Sequence, residues 1–222
     1  EIGCGGAILL KELKELAFET YAADPSPTAI RAAEKFGFSL IPKFFTAELF
    51  SGTFDLIFHS DVLEHAFDPR EFIDEQRKVL KPNGLIIISV PNAEENIEYG
   101  DISMAMHQHL QYFTPESLSK LMRASGFEIL EIRAADYGGS LYCAARLIDK
   151  GNLELGSSDS NGNYELPNFK ESIDKFRSAI DFARGEIGFY VPLRAMPYLC
   201  AISEDMKNSK YRFFDDTAHW HK

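Results

Sequence analysis

The 222-residue chain carries 34 acidic against 23 basic side chains, a formal charge of −11, with 45% hydrophobic and 13% aromatic residues. That length suits one well-buried core with a second small unit, and that apolar content argues against a disordered chain. Without a Lys/Arg block, the acidic balance argues against a nucleic-acid duplex or an anionic membrane as partner. Cys4, Cys143 and Cys200 lie far apart with no C-x-x-C spacing, which speaks against a zinc ribbon or disulfide framework and fits a reducing cytoplasm. The sequence has no run of eighteen apolar residues and no basic-then-apolar leader.

EIGCGGAILL (1–10) sets glycines at 3, 5 and 6 ahead of Leu9, Leu10, Leu13, Leu16 and Ala17 at helical spacing. A glycine turn is therefore expected to run into a helix over 8–18. FETYAAD (18–24) predicts a short strand ended by Asp24 and the Pro25-Ser26-Pro27 turn. A helix follows over 28–36, closed by Gly37, and then a weaker strand over 38–45, interrupted by Pro42. FDLIFHS (54–60) is apolar enough for a buried parallel strand.

Asp68-Pro69 supplies an N-cap and a first-turn proline to a helix with Phe72, Ile73, Val79 and Leu80 as its stripe. Lys81-Pro82-Asn83-Gly84 stops it, and LIIISV (85–90) is the next strand, ended by Pro91. Thr114-Pro115-Glu116 opens a helix with Leu118, Leu121 and Met122 inward and Gly126 as its stop. Runs at 127–135 and 140–148 predict a hairpin.

Alternating strands and helices with short connections imply an α/β fold, a doubly wound, mostly parallel sheet with an antiparallel hairpin at its end. This domain is expected to span 1–148. Residues 149–167 read as a polar linker, and 168–222 as a helix with a partial β–α–β unit. In that unit an amphipathic helix over 168–184 precedes strands at 186–191 and 211–214.

Gly3 and Gly5 let backbone approach a ligand at a strand mouth, where the following helix also points free N–H groups. Asp24, twenty-one residues after Gly3, ends the next strand and suits ribose hydroxyls. A dinucleotide fingerprint would require Gly or Ala at position 8, which is Ile8. The E-x-G-x-G at 1–5 instead resembles the first motif of class I S-adenosylmethionine-dependent methyltransferases, with Ala7 where that family usually has a further glycine. FDLIFHSDVLEHAFDPREFIDEQRKVLKPNGLIIISVPN (54–92) is similar to the family's fourth strand, helix and fifth strand. HLQYFTPESLSKLMRASGFEIL (109–130) is similar to its post-core segment.

The resemblance implies S-adenosylmethionine as cofactor. It places Glu1 at the methionine end, Gly3 and Gly5 in the binding loop and Asp24 on the ribose. Phe44 or Phe45 would lie against the adenine, and Ser60 and Asp61 would face the methyl-bearing end. His109 is the candidate general base, since an imidazole titrates near neutrality; capping or packing is its alternative. Glu64-His65 is a second candidate, with a structural role in the loop before Asp68 as the alternative. Glu64, His65, His107 and His109 are metal-ligand types, yet no metal is expected. His219-Trp220-His221 is assigned no catalytic role.

Tyr137-Gly138-Gly139-Ser140-Leu141 resembles a hairpin of sugar-modifying methyltransferases, with a plain tight turn as the alternative. The resemblance thus implies a cytoplasmic methyltransferase for a small polar acceptor, a sugar or nucleotide-linked sugar. Oxygen is favoured over carbon because Gln108 stands where sugar C-methyltransferases carry Glu. Methylation of a quinone-like or other small metabolite, and a non-catalytic cofactor-binding module, are the alternatives. Neither nucleic acid nor membrane is expected as partner, and the oligomeric state stays open. The strand expected ahead of the glycines is all but missing, so a fragment of a longer protein is expected.

Overall fold

The computed structural model describes residues 1–105, 108–136, 138–148, 169–182, 185–190, 192–204 and 211–214. In chain order these form α1 (Ile8–Glu15), β1 (Tyr21–Ala23), α2 (Pro27–Phe36), β2 (Ser39–Ile41), β3 (Phe54–Ser60), α3 (Pro69–Lys78), β4 (Leu80–Pro91) and α4 (Ala93–Tyr99). They continue as α5 (Pro115–Ala124), β5 (Phe127–Ala134), β6 (Ser140–Leu147), α6 (Phe169–Phe182), β7 (Ile187–Tyr190), α7 (Pro192–Ala201) and β8 (Tyr211–Phe214). The chain packs as two units. One holds Glu1–Asn92 and the stretch from Leu110 through the β5–β6 hairpin; the other holds Ala93–His109 and the C-terminal elements.

In the first unit the strands run β3-β4-β6-β5, with β3 and β4 parallel and β6 antiparallel to both β4 and β5. A second, parallel pair is β1-β2. Residues 1–3 lie between the two sets. The Ile2 N–H donates to the Phe58 carbonyl at 3.0 Å, the Gly3 N–H to Ala23 at 2.9 Å and the Ala23 N–H to Glu1 at 3.1 Å. This short segment is thus the central strand, and the chain leaves it for β1 and β2 on one side before crossing to β3 and β4 on the other. Such a reversal of strand order opens a crevice at the C-terminal strand ends.

Side-chain alternation along β3 shows why both faces are covered. Ile57 belongs to a core with Ile73, Ile86, Ile88, Leu118, Met122 and Phe127, whereas its neighbour Phe58 joins Leu10, Ala22, Ala29 and Phe38 on the opposite face. The helix caps follow local chemistry. Ser26 accepts from the Ala29 N–H ahead of α2, and Asp68 from Arg70 and Glu71 ahead of α3. Thr114 and Ser117 form a reciprocal capping box at α5.

Several expected boundaries move. The helix expected over 8–18 ends at Glu15, and of its apolar stripe only Leu10 is buried in the helix, while Leu16 is 71% exposed. The strands expected over 18–24 and 38–45 shrink to β1 and β2, three residues each. The strand expected over 85–90 extends back to Leu80, because Phe54 pairs with Leu80 before β3 resumes its register at Leu56 opposite Leu85. Residues 81–84 are looped out between these pairs, with Asn83 at a positive φ of 61°. Helix α4 was not anticipated, since AEENIEY has no apolar stripe.

In the second unit β7 and β8 pair in parallel with α7 between them in sequence. The Tyr198 hydroxyl donates to Asp101 at 2.9 Å, and the Phe176 ring lies 5.1 Å from that of Tyr198. These contacts tie α6 and α7 to the stretch after α4, so 93–109 groups with the C-terminal elements rather than with 1–92. Ala183, expected on the α6 stripe, lies outside the described residues, as do 149–167.

Candidate functional site

The tip of the central strand is built from backbone that few residues tolerate. Gly3 has φ 69° and Gly5 φ 48°, both left-handed. A Cβ on Gly3 would stand 2.6 Å from Cγ2 of Val62, so this position has neither the torsion nor the room for a side chain. Over Gly5 and Gly6 a Cβ would meet nothing within 4 Å, which leaves open space above the loop. Ala7 also adopts φ 52°, so the third family glycine is replaced at the cost of modest strain at the helix entry.

Asp24 sits beneath this loop at the end of β1 and is only 6% exposed. Its Oδ2 accepts the Gly5 N–H at 2.8 Å and its Oδ1 the Ser26 N–H at 2.7 Å. The carboxylate therefore fixes the glycine turn to the turn that starts α2, and each oxygen keeps a lone pair for a further donor. Glu1 is partly buried at the start of the central strand, and its Oε2 is buried with no hydrogen-bond partner among the described residues. Burial pushes its pKa up to about 7, and Asp24 adds to the shift. An unmet acceptor, an anchored carboxylate and open space over two glycines fit the amino-acid and ribose parts of S-adenosylmethionine.

The two phenylalanines after β2 are placed differently. Phe45 packs into the core, its ring centroid 5.8 Å from Phe50 and 6.3 Å from Phe72, whereas Phe44 is 81% exposed. Phe44 is thus the member of the pair accessible to a planar ligand. Ser60 ends β3 and Asp61 follows at φ 54°, its N–H donating to Ser89 of β4 at 3.0 Å. A non-glycine residue held in the left-handed region at a strand tip is a strained feature of the kind that collects at functional sites.

Glu64 is 1% exposed, and neither carboxylate oxygen has a hydrogen-bond partner among the described residues. Burial raises its pKa to about 7; the residue's own backbone amide and His65 oppose the shift, and Asp61 adds to it. His65 Nε2 stands 3.7 Å from its Oε1. The Glu64 carbonyl accepts the N–H groups of Leu110 at 2.8 Å and Gln111 at 3.0 Å, so the stretch right after His109 is fastened to the Glu64 loop. His109 itself is half-buried at the end of the 93–109 segment of the second unit. His107, Tyr137 and His219-Trp220-His221 lie outside the described residues.

Two residues carry geometry that the motifs did not reveal. Val62 closes the space against Gly3, and Asn92, after β4, is 4% exposed with its Oδ1 unmet among the described residues. The Asn92 N–H donates to Gly139 at 3.0 Å, and Asn92 forms a parallel bridge with Phe113. The Gly138-Gly139 turn thereby meets the end of β4. In the sequence only the bare Pro91-Asn92 step hinted at this.

Strand order, glycine tip and terminal carboxylate define a Rossmann-like methyltransferase fold. A family model described as a methyltransferase domain matches residues 1–132, and the chain belongs to the class I S-adenosylmethionine-dependent methyltransferases. It is similar to a ubiquinone biosynthesis O-methyltransferase of Cereibacter sphaeroides, 29% identical over 149 residues, covering 58% of this chain and 59% of the relative. A Rhizobium etli protein of the same description is 31% identical over 149 residues, covering 59% of this chain and 60% of that one. The chain thus spans about three fifths of the length of these relatives. The fold is similar to that of 1,6-didemethyltoxoflavin-N1-methyltransferase from Burkholderia thailandensis, solved with bound 1,6-didemethyltoxoflavin and S-adenosylhomocysteine. There the TM-score is 0.54 at 20% identity, covering 67% of this chain and 69% of the other. Among the described residues no helix is long and apolar enough to cross a membrane.

Proposed function

We propose that the protein transfers a methyl group from S-adenosylmethionine to a hydroxyl oxygen of a small acceptor, a phenol of the quinone-precursor type. The observation that carries the reading is Asp24, anchored by the Gly5 and Ser26 amides beneath an open glycine loop at the reversal of strand order. Similarity to relatives described as ubiquinone biosynthesis O-methyltransferases supports the quinone-like acceptor over the sugar. The Gly138-Gly139 turn beside Asn92 keeps a nucleotide-linked sugar as the second reading.

In this reading Glu1 and the Gly3–Gly5 loop hold the amino-acid end, Asp24 the ribose, and Phe44 lies against the adenine. Ser60 and Asp61 border the reacting end. When bound, the cofactor would supply a sulfonium methyl whose carbon is open to in-line attack by the acceptor oxygen, the carbon–sulfur bond breaking with its electron pair left on sulfur. His109 takes the proton that the hydroxyl loses, and Glu64 with His65 keeps the neighbouring loop in place.

Calorimetry with S-adenosylhomocysteine, followed by incubation of labelled donor with catechol and nucleotide-sugar panels, tests this. Label on a catechol oxygen supports it; binding without transfer to any acceptor identifies a non-catalytic module. His109→Ala should lower kcat and remove the limb of the pH–rate profile that falls toward acid. An unchanged profile rules out the base.

A further inference from the structure

The segment that carries Phe44 is held by helix α3 at two points. Phe45 packs its ring 6.3 Å from that of Phe72, and two residues on the Ala47 N–H donates to Oε2 of Glu75 at 2.9 Å. Phe72 and Glu75 stand three apart on α3, so one face of the helix makes both contacts. Phe44 comes directly before this double attachment and is 81% exposed.

The two contacts differ in kind. Ring packing is non-directional and fixes only where the segment lies. A hydrogen bond is directional and fixes how the backbone is turned. Ala47 opens a single turn, Ala47–Leu49, and Thr46 ahead of it lends no side-chain cap, although threonine commonly does so. The orphan donor at the start of that turn is met instead by a carboxylate 28 positions away. Lys78 pairs with the other oxygen of Glu75, and the Lys78 ammonium and then the Ala47 amide hold the carboxyl below its ordinary pKa. The acceptor is therefore ionised at neutral pH, which strengthens its bond to Ala47.

We propose that Glu75 is a positioning residue for the cofactor: through the Ala47 amide it turns the 44–47 segment so that the exposed Phe44 ring meets the adenine. The assignment rests on the methyl-transfer reading above and adds to it a residue outside the glycine loop on which cofactor affinity depends. Glu75 touches no ligand itself. It keeps the segment in the orientation that binds, and a segment released from it binds in proportion to the time it spends there.

The test is calorimetric titration with S-adenosylhomocysteine of the wild type, Glu75→Ala, Phe44→Ala and the double variant. Each single change should weaken binding by about tenfold, one by loosening the segment and the other by removing the ring. The double variant should stay within about threefold of either single one, because a misplaced ring and an absent ring lose the same interaction. Glu75→Gln keeps an oxygen acceptor for Ala47 and should bind within about threefold of wild type. Lys78→Ala removes the surface pair, spares the bond to Ala47 and should bind within about twofold of wild type. Losses that multiply to about a hundredfold in the double variant overturn the proposal. So does a glutamine variant as weak as the alanine one, or wild-type affinity in Glu75→Ala. Wild-type affinity in Phe44→Ala overturns the proposal together with the adenine contact it stands on. A wild type that fails to bind S-adenosylhomocysteine overturns the functional reading itself.

Discussion

At the glycine loop both oxygens of Asp24 accept backbone N–H groups, from Gly5 at 2.8 Å and Ser26 at 2.7 Å. At the rim formed by β3 and β4, by contrast, both oxygens of Glu64 and Oδ1 of Asn92 have no hydrogen-bond partner among the described residues. The first region is completed by its own chain, and its geometry exists before any ligand arrives. The second carries unmet polar atoms at a cost to stability, which is the usual mark of a place shaped for something else. The difference separates a glycine loop that its own chain completes from a rim whose buried polar atoms its own chain leaves unmet.

The cradle half of this contrast breaks most severely at Gly3. Gly3→Val adds a Cβ at 2.6 Å from Val62 and forces a branched residue to φ 69°, so loop and strand tip must both move. Overpacking and a left-handed valine together lower affinity for S-adenosylhomocysteine by about a hundredfold to a thousandfold. Wild-type affinity in calorimetry would show that the loop does not touch the cofactor. Asp24→Ala removes two charge-assisted bonds and the proposed ribose partner, with an expected loss of about tenfold to a hundredfold. Asp24→Asn should fall between, since it keeps one acceptor oxygen; an unchanged affinity in the alanine variant refutes the ribose assignment.

What the sequence revealed divides along the same line. The cradle is encoded by neighbours: Asp24 reaches Ser26 within one turn, and the Asp68-Pro69 and Thr114-Pro115 starts are set by caps three residues wide. FDLIFHS matches β3 residue for residue because a buried parallel strand is apolar on both faces and cannot slip without loss. The rim is encoded by distant partners. Asn92 acquires its meaning from Phe113 and Gly139, and Glu64 from Leu110 and Gln111, and no local periodicity reports such pairings. Phe44 and Phe45 are adjacent and chemically identical, and only the rings of Phe50 and Phe72 decide which of them enters the core. Residues 93–109 were expected with the cofactor domain, yet Asp101 and Tyr198 group them with the C-terminal elements.

The rim can be sharpened through stability. Glu64 titrates near pH 7 in the folded protein against an ordinary value of 4.5, so between these values the folded state holds a proton that the unfolded chain has released. The sign follows: its contribution is present below pH 4.5 and is lost as pH rises through 7. Glu64→Gln removes that loss, and the variant should exceed wild type at pH 8 by on the order of 2 kcal/mol in urea unfolding. It should at the same time lose acceptor turnover if the carboxylate serves the rim. A variant no more stable than wild type at pH 8 would show that Glu64 is met by a partner in solution.

His59 supplies the opposite slope. Its ring is 2% exposed on β3, 5.4 Å from the Phe72 ring and 3.4 Å from Gln76 Nε2, and its Nδ1 has no hydrogen-bond partner among the described residues. Burial holds its pKa down at about 3, against 6.5 ordinarily. The folded ring stays neutral while the unfolded one takes a proton below pH 6.5, so its contribution is full above that value and falls by about 1.4 kcal/mol for each pH unit toward 3. From pH 4.5 to 6.5 Glu64 and Glu1, whose pKa burial also raises to about 7, both act against this slope, so the wild type gains stability toward acid over that window. In Glu64→Gln the contributions of Glu1 and His59 cancel, and stability should stay level from pH 6.5 to 4.5. His59→Leu in the same background should restore the gain toward acid. A double variant that stays level would show that His59 does not supply the opposing slope.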